Sequence, residues 1–272
     1  MTETSDERYE VVIVKYGTRR TVRSEVYLNY GLYHEDDGPI GMDYFVWIIR
    51  NARRTILVDT GFSPQGGSSR GRDTLIAPPD AWAGLGITAE SAPTIIITHA
   101  HYDHIGNLDH FPTSPIVIAE AELDFWSGPH AHRALFHHSV EDSELAALTR
   151  ARSEGRVTAF TDRLTVAPGV EVLRVGGHTP GQSVVIVSTE RGPVMIASDA
   201  VHYYEELERS MPFTSVADLV GMYDGFDQIK SLLADGSVVA VISGHDPSTL
   251  SRFAPLDSPL AELAAVAGEV AR

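Results

Sequence analysis

Thr94-Ile95-Ile96-Ile97-Thr98-His99-Ala100-His101-Tyr102-Asp103-His104-Ile105-Gly106-Asn107 is the stretch that decides how this chain is read. Its first four residues are apolar or β-branched and read as a buried strand. Gly106 and Asn107 mark a turn. Between them stand His99, His101, Asp103 and His104. In α/β folds, functional side chains collect just past the end of a core strand. His99 and His101 are two apart in an extended segment, so their rings point to one side. Asp103 and His104 are adjacent where the backbone turns, so they diverge and face a different point. One loop can therefore serve two metal ions. His and Asp donors suit Zn, Fe, Mn or Co, and the sequence does not choose among them.

The surrounding composition narrows the field. The 272 residues hold 43% hydrophobic and 21% charged side chains, as expected of a globular protein large enough to bury its own core. The absence of cysteine excludes disulfides, thiol nucleophiles, iron–sulfur clusters and thiolate zinc sites, and fits a cytoplasmic location. A formal net charge of −16 disfavours nucleic acid as a partner. The acidic start Met1-Thr2-Glu3-Thr4-Ser5-Asp6-Glu7 does not read as a signal peptide, and residues 1–8 are expected to be a disordered tail. No apolar run approaches the length of a membrane span.

Working outward, strands are expected at 9–16, 20–28, 43–49 and 55–58, the last two forming a hairpin through Asn51-Ala52-Arg53. Residues 31–41 read as a loop, and the Gly-, Ser- and Pro-rich stretch 62–80 as a long mobile one. A short helix follows at 80–85. After the central strand come a strand at 115–119, a helix at 120–126 and an amphipathic helix at 141–152 with Leu145, Leu148 and Ala151 on one face. Short strands follow at 157–160, 164–166, 170–175, 183–188 and 194–197. A long helix at 215–233, a strand at 238–242 and a terminal helix at 256–270 complete the chain. The second His-rich patch, His130, His132, His137 and His138, could supply metal ligands, but it lacks an acidic partner and reads rather as surface, or as a lid or pocket wall. Trp82, Phe125 and Trp126 look exposed, available to a pocket or to a homodimer interface. Both halves run from strands to helix, which predicts an α/β protein, an αββα sandwich of two mixed sheets with helices on the outer faces, in a single domain of two pseudo-repeats.

Three further candidate ligands stand at strand ends: His178 in Val175-Gly176-Gly177-His178-Thr179-Pro180-Gly181, Asp199 in Ser198-Asp199-Ala200, and His245 in Gly244-His245-Asp246-Pro247. The flanking glycines are expected to let the backbone approach a metal.

With Asp59-Thr60-Gly61, these motifs make the chain resemble the metallo-β-lactamase superfamily over nearly all of residues 9–253. It looks most like the N-acyl-homoserine lactonase branch. The resemblance implies two divalent metal ions, zinc first among candidates. His99, His101 and His178 would hold one ion, and Asp103, His104 and His245 the other. Asp199 would bridge them, and Asp59 would orient a ligand histidine or the His loop. The implied reaction is hydrolysis of a small lactone or other ester, with a bridging hydroxide as nucleophile and Asp103 passing a proton to the leaving alkoxide. A glyoxalase-II-like thioesterase would use the same ligands, although the helical region it needs after the last ligand is not evident. A non-catalytic metal-binding protein on the same fold is a third reading. One departure stands out: the lactonases carry a Tyr three residues beyond the bridging Asp, where this chain has His202, followed by Tyr203 and Tyr204. His202 and Tyr203 are the candidates to replace it.

Overall fold

The computed structural model describes residues 7–268. Two sheets form the body. The larger has nine strands, ordered Ala254–Pro255, Ala264–Ala267, Glu10–Val22, Pro39–Arg50, Thr55–Val58, Thr94–Ile96, Ile116–Ala119 and Val157–Phe160, with Asp73–Thr74 pairing off this path onto Glu10–Val22. The smaller has five: Ala240–Ser243, Gly192–Ser198, Ser183–Thr189, Val170–Arg174 and Arg163–Ala167. Both are mixed. Thr94–Ile96 lies parallel to its neighbours on either side, and Ala240–Ser243 lies parallel to Gly192–Ser198.

Side-chain alternation explains the layers. Val11, Ile13, Phe45, Trp47 and Ile49 pack with Val172, Val185, Val187 and Ile196 of the other sheet, filling the space between the sheets. Their sequence neighbours Val12, Val14, Val46 and Ile48 point the other way and pack with Trp82, Leu123 and Leu148. On the far side of the small sheet, Val184, Met195 and Ala197 are covered by Met222, Phe226 and Ile229 of the helix Leu219–Ala234. The result is the αββα arrangement expected. Several strands are buried on both faces, which is why they read as continuous apolar runs rather than alternating ones.

Some expectations need correction. The separate strand at 20–28 does not exist: the first strand runs through from Glu10 to Val22, with a register shift between Lys15 and Gly17, and the short helix Arg23–Val26 follows. A bulge absorbed the break that the sequence suggested. The stretch 62–80 contains the helix Pro64–Ser69, capped by the Ser63 hydroxyl, which accepts from Gly66 N. Ser followed by Pro at the first helical position is a start signal that the glycines obscured. The terminal helix is also absent among the described residues. Ala264–Ala267 is a fully buried strand that pairs antiparallel with Val11–Val14, and residues 269–270 of that expectation lie outside the described region. Alanine favours helices, but the open edge of the first strand offered a ladder of hydrogen bonds that overrode local preference.

Trp82 and Trp126 are buried and Phe125 is half-buried, so their exposed appearance was misleading. The expected tail lies mostly outside the described residues. Glu7 itself is anchored, accepting from the Tyr9 hydroxyl at 2.7 Å and from Arg54 at 3.1 Å.

Candidate metal centre

The large sheet delivers His99 and His101 directly after Thr94–Ile96, and Asp103 and His104 on the single-turn helix Tyr102–Ile105. The small sheet delivers His178 after Val170–Arg174, Asp199 after Gly192–Ser198 and His245 after Ala240–Ser243. The structure brings all seven together, and all are buried. Donor atoms of His99, His101, His178 and Asp199 lie within 4.8 Å of one another, as do those of Asp103, His104 and His245. Asp199 faces both groups. Its Oδ2 lies 3.4 Å from His178 Nε2 and 3.8 Å from His99 Nε2, while its Oδ1 lies 3.3 Å from His104 Nε2 and 3.1 Å from His245 Nε2.

The tautomers are fixed from behind. His178 Nδ1 donates to the Ser215 carbonyl at 2.7 Å, and His245 Nδ1 to the Asp43 carbonyl at 2.7 Å. A carbonyl only accepts, so the proton sits on Nδ1 and the Nε2 lone pair faces inward. His104 Nδ1 meets Asp59 Oδ2 at 2.7 Å; burial disfavours charge on this ring, but Asp199, Asp59 and Asp103 outweigh it and hold its pKa well up, so a cation at Nε2 would take the place of a proton there. Burial, together with neighbouring imidazoles, pushes the pKa of His99 and His101 well down, and that of His178 to about 3, so these three are neutral.

The inward atoms lack partners. His99 Nε2, His104 Nε2, His245 Nε2 and Asp199 Oδ1 are buried with no hydrogen bond. An unsatisfied buried polar atom costs about 1–3 kcal/mol, so a convergent group of them is unfavourable unless something fills the space. Cations would satisfy every one of these lone pairs, and neutral imidazoles with carboxylates are the donor types that zinc and its neighbours accept. The residues present therefore fit a pair of divalent ions.

Buried carboxylates brace the loops. Asp59 accepts from Thr98 N at 2.8 Å and Thr98 Oγ1 at 2.7 Å as well as from His104, and it holds a left-handed φ of 59° to do so. Glu122 ties the two halves together. Its Oε1 accepts from Ala100 N at 2.9 Å and Trp126 Nε1 at 2.7 Å, and its Oε2 from Thr179 Oγ1 at 2.7 Å and Gly181 N at 2.9 Å. Burial raises its pKa while these four donors lower it, and donors on every side fit the carboxylate form. Glu122 was missed in the sequence, where one Glu at a helix start carries no signal. The nearby glycines serve this packing rather than a metal: a Cβ on Gly181 would stand 2.4 Å from Glu122 Cβ, and one on Gly177 2.5 Å from Met222 Cα.

The two catalytic candidates after Asp199 part company. His202 joins the cluster: its Nε2 lies 3.1 Å from Asp199 Oδ2, its ring stacks on Phe213 at 3.8 Å, and Glu206 Oε2 lies 3.2 Å from its Nδ1 and accepts from its backbone N at 2.6 Å. Burial disfavours charge on His202, but Asp199 and Glu206 outweigh it and lift its pKa to about 9. Tyr203 is corrected. Its hydroxyl donates to the Gly41 carbonyl at 3.0 Å and its ring packs on Tyr27, so its hydrogen-bonding group is committed elsewhere.

Two cavities open onto the cluster and share His101 and His178. One, about 310 Å³, also reaches Asp103, Asp199, Tyr44 and Tyr102. The other, about 420 Å³, is walled by Leu28, Phe125, Trp126, Leu135 and Phe136. Of the second His-rich patch, His138 lines both cavities, while His137 turns outward to Asp142 at 2.9 Å. Among the described residues no helix is long and apolar enough to cross a membrane.

Comparison with known proteins agrees with this architecture. A chain described as an N-acyl homoserine lactonase from Bacillus sp is 28% identical over 163 residues, covering 60% of this chain and 59% of that one. N-acyl homoserine lactonase AiiB of Agrobacterium fabrum is 27% identical over 223 residues, 74% of this chain and 78% of its own length. The chain thus spans less than two thirds of the Bacillus relative. Among solved structures, a quorum-quenching N-acyl homoserine lactone lactonase superposes with a TM-score of 0.74 at 19% identity, over 89% of this chain and 95% of that chain. AidC, described as a dizinc quorum-quenching lactonase, gives 0.69 at 20% identity, covering 88% of each chain. The profile of the metallo-beta-lactamase superfamily matches residues 41–245, and the chain belongs to that superfamily.

Proposed function

We propose that this protein is a dinuclear metal-dependent hydrolase that opens the ring of a small lactone, an N-acyl homoserine lactone or a related ester. The observation that carries the reading is the set of buried, partnerless donor atoms converging beside two cavities. His99, His101, His178 and Asp199 would hold one divalent ion, and Asp103, His104 and His245 the other, with Asp199 shared. Such ions supply Lewis acidity and lower the pKa of water toward ~7, which is the chemistry that ester hydrolysis at neutral pH requires.

The chain's own residues do the rest. Asp199 reaches both clusters because its carboxylate spans them. His202, held by Glu206, keeps Asp199 from rotating, and so acts as a positioning residue. In this reading Asp103, which lines the 310 Å³ cavity, passes a proton to the departing alkoxide. The aromatic cavity excludes water from an acyl tail, and Trp126, whose indole N–H is committed to Glu122, presents a fixed apolar face there.

The test is metal content per chain followed by hydrolysis of N-hexanoyl homoserine lactone against a simple thioester. About two equivalents of zinc, iron, manganese or cobalt with lactone turnover is the expected result. Preference for the thioester would move the reading to a thioesterase, and bound metal without turnover of either would leave a binding protein.

A further inference from the structure

The 310 Å³ cavity contains a feature that ring opening of a neutral lactone does not use. Arg19, Arg70 and Arg72 line it together, in a chain whose net charge is −16. Arg70 is accounted for: it pairs with Glu141, donates to the His138 and Val140 carbonyls, and lies over the Tyr102 ring. The other two are different. No carboxylate pairs with Arg19 or Arg72 among the described residues, and Arg19 Nε is buried without a hydrogen-bond partner.

Their placement makes this costly. Asp73–Thr74 pairs antiparallel with Gly17 and Thr18. Continuing that register by one residue sets Arg72 opposite Arg19. Like charges facing each other across a ladder are destabilising. Arg72 is held in position, donating from Nε to the Tyr102 hydroxyl at 3.0 Å and from Nη1 to the Arg70 carbonyl at 2.8 Å, with its guanidinium 5.9 Å from the Tyr44 ring centroid. Among the described residues no hydrogen bond engages its Nη2. The acids on the cavity wall are committed elsewhere, although the charge of Asp103 also acts on Arg72. Asp103 and Asp199 belong to the metal clusters, and Glu25, at the exposed rim, accepts from Thr21 at 2.7 Å.

We propose that Arg19 and Arg72 form the recognition site for an oxyanion, a carboxylate or a phosphate, carried by the substrate beside its scissile ester. This rests on the hydrolase reading above and narrows its substrate class. The guanidinium fork matches the paired oxygens of either group, and its charge-assisted bonds are strong where water is excluded. The anion removes the repulsion between the two arginines and satisfies Arg19 Nε. The substrate then lies with its acid end in the arginine cavity, its ester at the shared edge formed by His101 and His178, and any apolar portion toward Phe125 and Trp126.

The experiment uses the metal-loaded enzyme and three γ-butyrolactones that differ only in the substituent on the ring: a carboxylate, a phosphonate and a neutral carboxamide. The expected result is a kcat/KM for at least one anion about tenfold or more above that for the carboxamide, residing mainly in KM. The two anionic arms separate carboxylate from phosphate recognition. In the double variant Arg19→Gln/Arg72→Gln the ratio of anionic to neutral turnover collapses to within about twofold, and Arg72→Lys, which keeps charge but loses the fork, falls between. Binding of the ring-opened hydroxy diacid, measured by calorimetry, weakens about tenfold in the double variant at unchanged metal content and helical signal. A ratio near one in the wild type, with the neutral lactone turned over, overturns the anion site and leaves the hydrolase standing. Absence of all turnover with weaker diacid binding in the double variant does the reverse. Equal diacid binding by both proteins overturns the anion site whatever the turnover.

Discussion

The two halves of the metal centre are built by opposite strategies. The large sheet contributes four donors from one six-residue segment, His99 to His104. The small sheet contributes three donors from three separate loops, at His178, Asp199 and His245. The first group is positioned largely by local backbone geometry, with Asp59, Thr98, Thr60 and Glu122 holding the loop from behind. The second depends on three strands ending at the same edge, and on backbone carbonyls of Ser215 and Asp43 that the chain reaches only after folding. A local cluster tolerates distant change, whereas a distributed one inherits every error in packing. Glu122 is the point where the two meet, since it grips the loop of His99 and His101 with one oxygen and the loop of His178 with the other.

The largest effect expected is from removing metal. Both halves present partnerless donors to the same space, so ions that bind only the folded state stabilise it by about 4 kcal/mol at a free concentration a thousandfold above Kd. Chelation is expected to lower the unfolding midpoint and to abolish the proposed hydrolysis. A midpoint unmoved by chelator would break the premise that the halves are joined through ions.

Next comes Glu122→Gln. The amide nitrogen would face two of the four donors, leaving them unsatisfied at a cost of roughly 2–4 kcal/mol in denaturant unfolding. Metal analysis should show loss first from the cluster that includes His178. Loss confined to Asp103, His104 and His245 would contradict the role of Glu122 as the link between halves.

Asp59→Asn acts mainly within the local half, with one longer contact to Ser198 Oγ at 3.4 Å on the other side. It weakens the hydrogen bond that orients His104, and metal affinity there should fall about 10–100-fold. Competition with a chromophoric chelator resolves the two sites, and an unchanged affinity at the site that holds His104 would remove Asp59 from its role in orienting that ring.

The smallest effect concerns Glu144, which braces the local half from outside by accepting from Ser63 Oγ at 2.8 Å. Burial raises its pKa to about 7, against the lowering effect of Ser63 and Arg70, with Glu141 and Asp103 adding to the rise. The folded state holds this proton more tightly than the unfolded one. Its contribution is therefore complete below about pH 4.5 and is lost as pH rises through about 7. Glu144→Gln keeps the Ser63 bond and should flatten that loss, gaining about 1–2 kcal/mol at pH 8 relative to pH 5, after allowance for partial solvent access. Thermal melts at the two pH values measure it, and parallel pH curves for variant and parent would remove Glu144 from the account.

Legibility followed the same division. The strand Thr94–Ile96 and its His loop could be read because ligand types and apolar run are contiguous. Most strands were visible as β-branched runs, and the helix Leu219–Ala234 by its apolar spacing. Ala264–Ala267 was misread because alanines look helical until an open strand edge is available to pair with. Glu206 was invisible because its grip on His202 and Phe213 exists only once the turn between them has formed, and Glu122 and Arg19 because they meet residues far away in sequence. Tyr203 was misjudged for the same reason, since its hydroxyl is claimed by Gly41, 162 residues away along the chain.

By itself, the sequence determined the layered α/β class, the donor types and the grouping of four of them on one turn, because hydrophobic periodicity and ligand chemistry are local properties. Only the tertiary structure decided that Asp199 faces both groups, that His202 rather than Tyr203 meets it, and that two arginines without acid partners share its cavity. Those facts depend on which strand ends coincide and which side chains lose their water, and both are set by packing across the whole chain.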